Sequence, residues 1–105
     1  MGLFHKKNKI DIHQECWDLN YYFIIWLDDH LKVYYEGASN AIDLTFHKYQ
    51  YKGQEYTFKQ LLERMLELAP WVRKHFYDWE NIDDVYDKTD ELLKLFSLTF
   101  HSFWW

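Results

Sequence analysis

The segment that decides the fold is FKQLLERMLELAPWVRKHFYDW, residues 58–79. Its apolar residues recur every three or four positions and keep one helical phase throughout: Phe58, Leu61, Leu62, Met65, Leu68, Ala69, Val72, Phe76 and Trp79. Thr57 and Gln60 have the spacing of a capping box, in which each side chain accepts a hydrogen bond from the other residue's backbone N–H. The segment therefore predicts an amphipathic helix from 58 to about 78 with one face in a core.

Pro70 lies inside this pattern. Proline lacks the N–H that would bond to the carbonyl four residues earlier, and its ring crowds that carbonyl. We therefore expect the helix to bend at Pro70, or to divide there into two helices in line.

A first helix is predicted from about Ile12 to Glu36, between a capping box of Asp11 with Gln14 and the run Gly37-Ala38-Ser39-Asn40. One apolar face carries Ile12, Cys16, Leu19, Phe23, Trp26, Leu27, His30 and Tyr34, and a second carries Trp17, Tyr21, Ile24, Leu31 and Tyr35. A helix that is apolar on two sides must be covered on both, so we expect another copy of the protein against it. The alternative is a β-hairpin over 21–36, because Tyr, Phe and Ile also favour strands.

The remaining chain predicts a short extended segment and a last helix. Residues 44–57 look extended, with Lys52-Gly53 as the turn of a hairpin. The last helix starts after Asn81, whose side chain can cap it. Its predicted core stripe is Ile82, Val85, Tyr86, Thr89, Leu92, Leu93, Phe96, Phe100, Phe103 and Trp104. Leu98 and Trp105 fall on the opposite, polar face, where only a partner could bury them.

The predicted fold is therefore mainly α, with three long helices that form a bundle, the middle one kinked at Pro70, and a short extended or hairpin segment near 44–57. A basic tail, residues 1–10, precedes a single helical domain, residues 11–105. The residues that we expect in an interface between copies are Trp17, Tyr21, Ile24, Leu98 and Trp105.

Composition limits the classes of function. Aromatic residues make up 22% of the chain, more than a core of this size needs, which favours binding and self-association. The net charge of −5 makes nucleic acid an improbable partner. The longest apolar run, residues 21–27, is far shorter than the roughly 20 residues that cross a bilayer, so no membrane partner is expected. A single cysteine, Cys16, allows no intramolecular disulfide and fits the cytoplasm.

No pattern of catalytic or cofactor-binding residues stands out. The usual metal-ligand spacings and glycine-rich phosphate loops are absent from the sequence, so neither a metal nor another cofactor is expected. Cys16 and His30 share a helix face, but about 21 Å of helix would separate them, too far for a nucleophile and its base. Cys16 is better read as a buried apolar filler. We expect no enzyme, although residues from different helices could still assemble a small active site.

One surface group could bind a ligand. Arg64, Trp71, Lys74 and His75 fall on the side of the middle helix away from its core stripe. An indole can stack on a base while cations pair with phosphates. These residues predict a site for a small nucleotide, and the alternative is that Trp71 packs on a neighbouring helix while the charges face solvent.

Three stretches of the chain form a further pattern. They are Cys16-Trp17-Asp18-Leu19-Asn20, Leu61-Leu62-Glu63-Arg64-Met65, and the C-terminal run Leu93-Lys94-Leu95-Phe96, Phe100 and Trp104-Trp105. The pattern resembles a group of small bacteriophage-encoded proteins with a Trp-x-Leu-Asp helix start, a Leu-Asp-Lys-Met helix and a Leu-Phe-x-x-x-Phe-x-x-x-Trp-Trp ending. The resemblance implies a helical fold and a phage protein made in the host cytoplasm, and it implies no activity.

These observations together favour a non-enzymatic phage accessory protein. We expect it to act by stoichiometric binding as a homo-oligomer and to counteract a host defence component, with a host protein as partner. The first alternative is a sponge that sequesters a small nucleotide signal, and the second is a small enzyme with a site assembled between helices.

Overall fold

The computed structural model describes residues 12–13 and 16–105, so the predicted basic tail lies outside it. The chain is mainly helical, and three long helices pack against one another beside a two-stranded antiparallel sheet. In chain order the elements are α1 (Leu19–Ala41), β1 (Lys48–Tyr51), β2 (Gln54–Thr57), α2 (Phe58–His75) and α3 (Ile82–Thr99). Short 3-10 turns at Trp79–Asn81 and Phe100–Ser102 flank α3. The predicted mainly α fold with a hairpin near 44–57 is confirmed.

The middle helix, α2, packs against both α1 and α3 and carries most of the core. The first seven residues of its predicted stripe, from Phe58 to Val72, are all buried. The Thr57 hydroxyl accepts from the Gln60 N–H at 3.1 Å, and the side-chain Oε1 of Gln60 accepts from the Thr57 N–H at 2.9 Å. The helix is continuous through Pro70, so a division into two helices is wrong. It ends at His75, and Trp79, beyond that end, is exposed rather than part of the core.

The hairpin forms as its turn residues predict. Tyr49 pairs with Tyr56, and the two-residue turn Lys52–Gly53 has φ values of 50° and 77°. Positive φ at both positions is the geometry of the hairpin turn whose twist matches the strands, and Gly53 adopts it without a steric penalty. The second strand of the hairpin ends at Thr57, the residue that caps α2.

Residues 21–36 are helical, so the alternative of a hairpin over this segment is wrong. The structure corrects both predicted ends of the first helix. Ile12, His13 and Cys16 are helical as predicted, but Trp17 and Asp18 form a turn, and the long helix α1 begins only at Leu19. The capping-box residues Asp11 and Gln14 lie outside the described residues. At the other end α1 runs through the Gly37–Asn40 segment, because the buried Ala38 adds apolar contacts that outweigh the weak local preference for a stop.

The buried face of α1 lies between the two predicted faces. Its buried residues are Ile24, Leu27, Asp28, Leu31 and Ala38. Leu19, Phe23, Trp26 and Val33 stay exposed on an apolar face that no other part of the described chain covers fully. Since Ile24 is 2% exposed within its own chain, its predicted place in an interface is wrong.

The buried stripe of α3 is also rotated from its prediction. Val85, Leu92, Leu95 and Thr99 are buried, while the predicted core residues Tyr86, Leu93, Phe100 and Trp104 are exposed. Asn81 does precede the helix, but its side chain makes no cap bond and donates instead to the Asp78 carboxylate at 2.8 Å. The α2 surface decides which side of α3 is buried, and that surface is not encoded in the α3 segment itself.

Candidate functional site

An apolar groove lies between α1 and α3, the two outer helices. The middle of α1, the end of α3 and the C-terminal segment line a depression of about 560 Å³, to which α1 contributes Trp26, His30 and Val33, and α3 and the segment after it contribute Phe96, Phe100 and Trp105. The start of α1 and residues 76–93 line a smaller depression of about 290 Å³, which includes Phe23, Trp79, Tyr86 and Leu93. We call the two together the α1–α3 groove.

The aromatic rings of α1 are held in order by stacking. Phe23 stacks on Trp26 with ring centroids 6.0 Å apart, and Trp26 stacks on His30 at 4.1 Å. The Nδ1 atom of His30 donates to the Trp26 carbonyl oxygen at 2.7 Å. Phe23 also meets Phe96 of α3 at 6.3 Å, where the two depressions adjoin. The α1 wall is thus a continuous row of rings.

The chemistry of the groove is apolar. Of the described side chains that line its two depressions, none is an Asp, Glu, Lys or Arg. The polar groups that these residues place on the walls are imidazoles, hydroxyls, the indole N–H groups and the Asn20 amide. Such a surface can bind an apolar ligand or an apolar protein face, and its described residues offer no carboxylate, ammonium or guanidinium group with which to bind an ion.

The C-terminal segment forms one wall of the groove by folding back onto α1. The Tyr34 hydroxyl donates to the carbonyl oxygens of Ser102 (3.1 Å) and Trp104 (2.9 Å). Burial raises the pKa of Tyr34, which keeps this hydroxyl protonated. The Trp105 ring then lies 5.3 Å from the Tyr34 ring. The prediction that Trp105 lies on the outer face of the last helix is therefore wrong, because the helix ends at Thr99 and the chain turns back.

The other predicted interface residues have different environments. Trp17 is 87% exposed. Tyr21 contacts Phe76 and Tyr77 of its own chain, each at 5.2 Å between ring centroids. Leu98 is partly exposed and lines neither depression of the groove. Of the five, Trp105 and the buried Ile24 line the groove, and Trp17, Tyr21 and Leu98 do not.

Trp71 packs between groups of its own chain. It is half-buried against the core, stacks on His75 at 4.3 Å, and has the Lys88 ammonium 4.7 Å from its ring centroid. His75 also faces the Asp78 carboxylate at 3.3 Å. The indole of Trp71 is thus stacked on an imidazole of its own helix and lies under a cation from α3.

Arg64 is held by carboxylates. Its guanidinium donates to both oxygens of Glu91, at 2.7 and 2.9 Å, and to Glu67 at 3.2 Å. The hydrogen bond from Arg64 lowers the pKa of Glu91, and the same contact raises that of Arg64. Arg64 and Glu91 line an open charged depression that Trp71 does not line, and Lys74 is exposed elsewhere on α2. The four residues predicted for a nucleotide are therefore not brought together.

Two features were missed in the sequence. Asp28 is buried, and its carboxylate contacts Lys32 at 3.3 Å and Arg73 at 3.1 Å. The available signal was a carboxylate between Ile24 and Leu31 with a lysine four residues later. Its role is structural, since the ion pair joins α1 to α2.

The second missed feature is a hydroxyl cluster. The Ser102 hydroxyl is hydrogen-bonded to His47 Nδ1 at 3.1 Å and to the Tyr49 hydroxyl. A serine beside an imidazole is the pair that nucleophilic catalysis uses, but a third group must orient the imidazole. Among the described residues no carboxylate is hydrogen-bonded to His47, so the contacts tie the C-terminal turn to the hairpin without forming a triad. His47 and Ser102 are too far apart in sequence for spacing to reveal them.

Cys16 is exposed, so its predicted role as a buried filler is wrong. Within residues 12–13 and 16–105, no three His, Cys, Asp or Glu side chains are grouped to hold a metal ion. No helix in the same part of the chain is long and apolar enough to span a membrane. No protein-family model, curated protein or solved structure matches this chain. Its function has to be inferred from the geometry of the groove.

Proposed function

We propose that the protein acts by stoichiometric binding as a homo-oligomer and that the α1–α3 groove is its binding surface. The observation that carries this proposal is the charge-free groove, whose walls leave Trp26, Val33 and Phe100 about half exposed or more. Exposed aromatic surface of this kind, rimmed by polar residues, is typical of protein interaction sites.

The energetics favour burial of this surface by another protein. Transfer of apolar surface out of water is worth about 25 cal/mol per Å², so a single half-exposed indole contributes on the order of 2 kcal/mol when it is covered. Several such side chains line one groove, and their contributions act together in one contact. Because the described lining has no Asp, Glu, Lys or Arg, covering it requires no desolvation of a carboxylate, ammonium or guanidinium group.

The proposed setting is a bacteriophage infection, with the protein in the cytoplasm of the host cell. The support is the residue pattern at 16–20, 61–65 and 93–105, together with the single cysteine. In this setting the bound target is a component of bacterial defence, and binding rather than turnover inactivates it.

We also propose that the three helices form a bundle with a bend in α2 at Pro70. The missing N–H at this position removes the bond to the Leu66 carbonyl, and relief of the ring's contact with that carbonyl favours a bend. A bend at Pro70 sets the direction of the last part of α2, which carries Trp71 and His75.

The two alternatives have less support. A nucleotide sponge would need Arg64 to leave Glu91 and Glu67 and to approach Trp71, although both Arg64 contacts are charge-assisted hydrogen bonds. An enzyme would need a further group to orient His47 towards Ser102. Both alternatives require side chains to rearrange, whereas binding in the α1–α3 groove does not.

Native mass spectrometry of the full chain, taken directly from producing cells, tests the proposal. We expect an oligomer of this chain with no small molecule retained. A monomer across the whole concentration range, confirmed by light scattering, would reject the homo-oligomer. A retained nucleotide in stoichiometric amount would favour the sponge instead.

A further inference from the structure

We infer that the α1–α3 groove takes helix α1 of a second copy, so that two chains related by a twofold axis fill each other's grooves. This inference rests on the proposed function, because it names where the second copy docks. It depends on three observations: the shape of the exposed α1 face, the absence of charge in the groove, and the area available.

The exposed face of α1 is itself a helix of the kind that such a groove binds. Leu19, Phe23, Trp26 and Val33 follow one another at helical spacing and are all exposed. Amphipathic helices bind in apolar grooves through residues with this spacing. Three of these side chains also line the groove, so the same surface is both wall and ligand. That self-complementarity is the property of a twofold interface.

Charge favours a second copy over a basic partner. The chain has a net charge of −5, so acidic groups at a contact between two copies would add to their mutual repulsion. The described groove lining contains no Asp, Glu, Lys or Arg, so the contact itself adds no repulsion of this kind. A cationic partner segment would find no carboxylate in the lining with which to pair.

The exposed area is large enough for a stable dimer. About ten apolar side chains in and beside the groove are roughly half exposed, and a fully buried aromatic contributes about 150–250 Å², so the surface is on the order of 1,000 Å² per chain. Stable interfaces bury about 800 Å² on each partner. The groove and the α1 face together therefore meet this requirement without other surfaces.

The spacing of the side chains on the exposed α1 face predicts the register in which the two α1 helices pair. Trp26 is seven residues from both Leu19 and Val33. If the twofold axis passes beside Trp26, the helices run antiparallel and Val33 of one chain lies beside Leu19 of the other. The two Val33 residues are then about 21 Å apart along the helix, at 1.5 Å per residue.

Sedimentation velocity on the full chain measures dimerisation, and substitutions that add the same charge inside and outside the α1–α3 groove test whether the groove is the interface. We expect Val33→Glu and Trp26→Glu to weaken the dimer at least tenfold while far-ultraviolet circular dichroism stays helical. Val33 is 67% exposed, so its variant should fold even if the Trp26 variant does not. Leu98→Glu introduces the same charge on α3 outside the groove and should leave the dimer unchanged.

Disulfide cross-linking tests the register, in the Cys16→Ser background. A mixture of Leu19→Cys chains with Val33→Cys chains should give a disulfide-linked dimer, and Val33→Cys chains alone should not. Cross-linking of Val33→Cys with itself would overturn the antiparallel register.

The two tests separate this inference from the proposed function. If the chain is an oligomer that Leu98→Glu dissociates and Val33→Glu does not, the homo-oligomer stands and the groove is not its interface. If the wild-type chain is a monomer at every concentration, both proposals are wrong. A monomer that binds an unrelated amphipathic helix in the groove would overturn the second copy as the occupant.

Discussion

The indole of Trp105 lies directly against the backbone of Gly37, near the end of α1. A Cβ atom on Gly37 would be 2.6 Å from Cη2 and 2.7 Å from Cζ2 of the ring, closer than non-bonded carbon atoms approach. Glycine at this position therefore leaves the space that the C-terminal ring occupies. The contact joins residues 68 positions apart in the chain and completes one wall of the α1–α3 groove.

We expect Gly37→Ala to displace the Trp105 ring, because a methyl group and the ring cannot share the same space. Alanine stabilises a helix interior by up to about 1 kcal/mol relative to glycine, which offsets part of the lost packing. A double-mutant cycle by urea unfolding measures the coupling. Trp105→Ala should lower the free energy of unfolding by clearly less in the Gly37→Ala background than in the wild type. Equal losses in the two backgrounds would show that the packing of the Trp105 ring does not depend on glycine at position 37.

Tyr34→Phe should lower the free energy of unfolding by about 1 kcal/mol, because the lost hydroxyl bonds to two backbone carbonyls of the C-terminal segment. Tyr35→Phe is the matched control. The Tyr35 hydroxyl bonds to the exposed Glu63 carboxylate at 2.8 Å, and its loss should stay within about 0.5 kcal/mol. Denaturant unfolding of both variants checks the difference, and equal losses would contradict a specific role for Tyr34.

Arg73→Met should destabilise the protein by about 2 kcal/mol, because it removes a charged partner from the Asp28 carboxylate, whose side chain is 3% exposed. Lys32 remains near Asp28, and Arg73 is partly in water, so the loss is smaller than for a fully buried pair. Asp29 also pairs with Arg73 at 2.9 Å but is mostly exposed. Asp29→Asn should therefore change stability by less than about 1 kcal/mol in the same unfolding assay.

The Arg64–Glu91 pair should contribute to the loss of stability in acid. Arg64 holds the pKa of Glu91 below its ordinary value of 4.5 in the folded protein only. A lowered carboxyl pKa stabilises the fold above the unfolded pKa, and this stabilisation disappears as the pH falls through the folded pKa. Glu91→Gln should reduce the difference in unfolding free energy between about pH 7 and pH 3 by up to about 1 kcal/mol, since the pair is partly exposed. Glu67→Gln, which removes a more exposed partner of Arg64, is the matched control variant.

Pro70→Ala tests the proposed bend. If Pro70 bends α2, alanine restores the N–H and allows a straighter helix, which moves Trp71 and changes its stacking on His75. A proline inside a helix costs up to about 3 kcal/mol relative to alanine, so the variant should be more stable by some part of this amount. Thermal unfolding and tryptophan fluorescence measure the two effects. Unchanged values for both would argue that the helix is not bent at this residue.

The sequence by itself determined the elements whose signals are local. The helical phase from Phe58 to Val72, the capping box of Thr57 with Gln60, and the turn at Lys52–Gly53 are confirmed. Each depends on residues within one or two turns of each other, so their spacing carries the information. These elements predict a mainly α fold built around α2.

Only the tertiary structure decided which apolar faces are buried. Two faces of α1 are apolar, and the side buried against α2 lies between them, so that it contains Asp28 and leaves Trp26 exposed. The rotation of α3 and the return of Trp105 to Gly37 likewise depend on surfaces far away in the chain. A periodic pattern shows that a helix has an apolar face, but the burial of that face depends on the shape of the neighbouring helix. Local spacing does not contain that shape, and the groove between α1 and α3 exists only because of it.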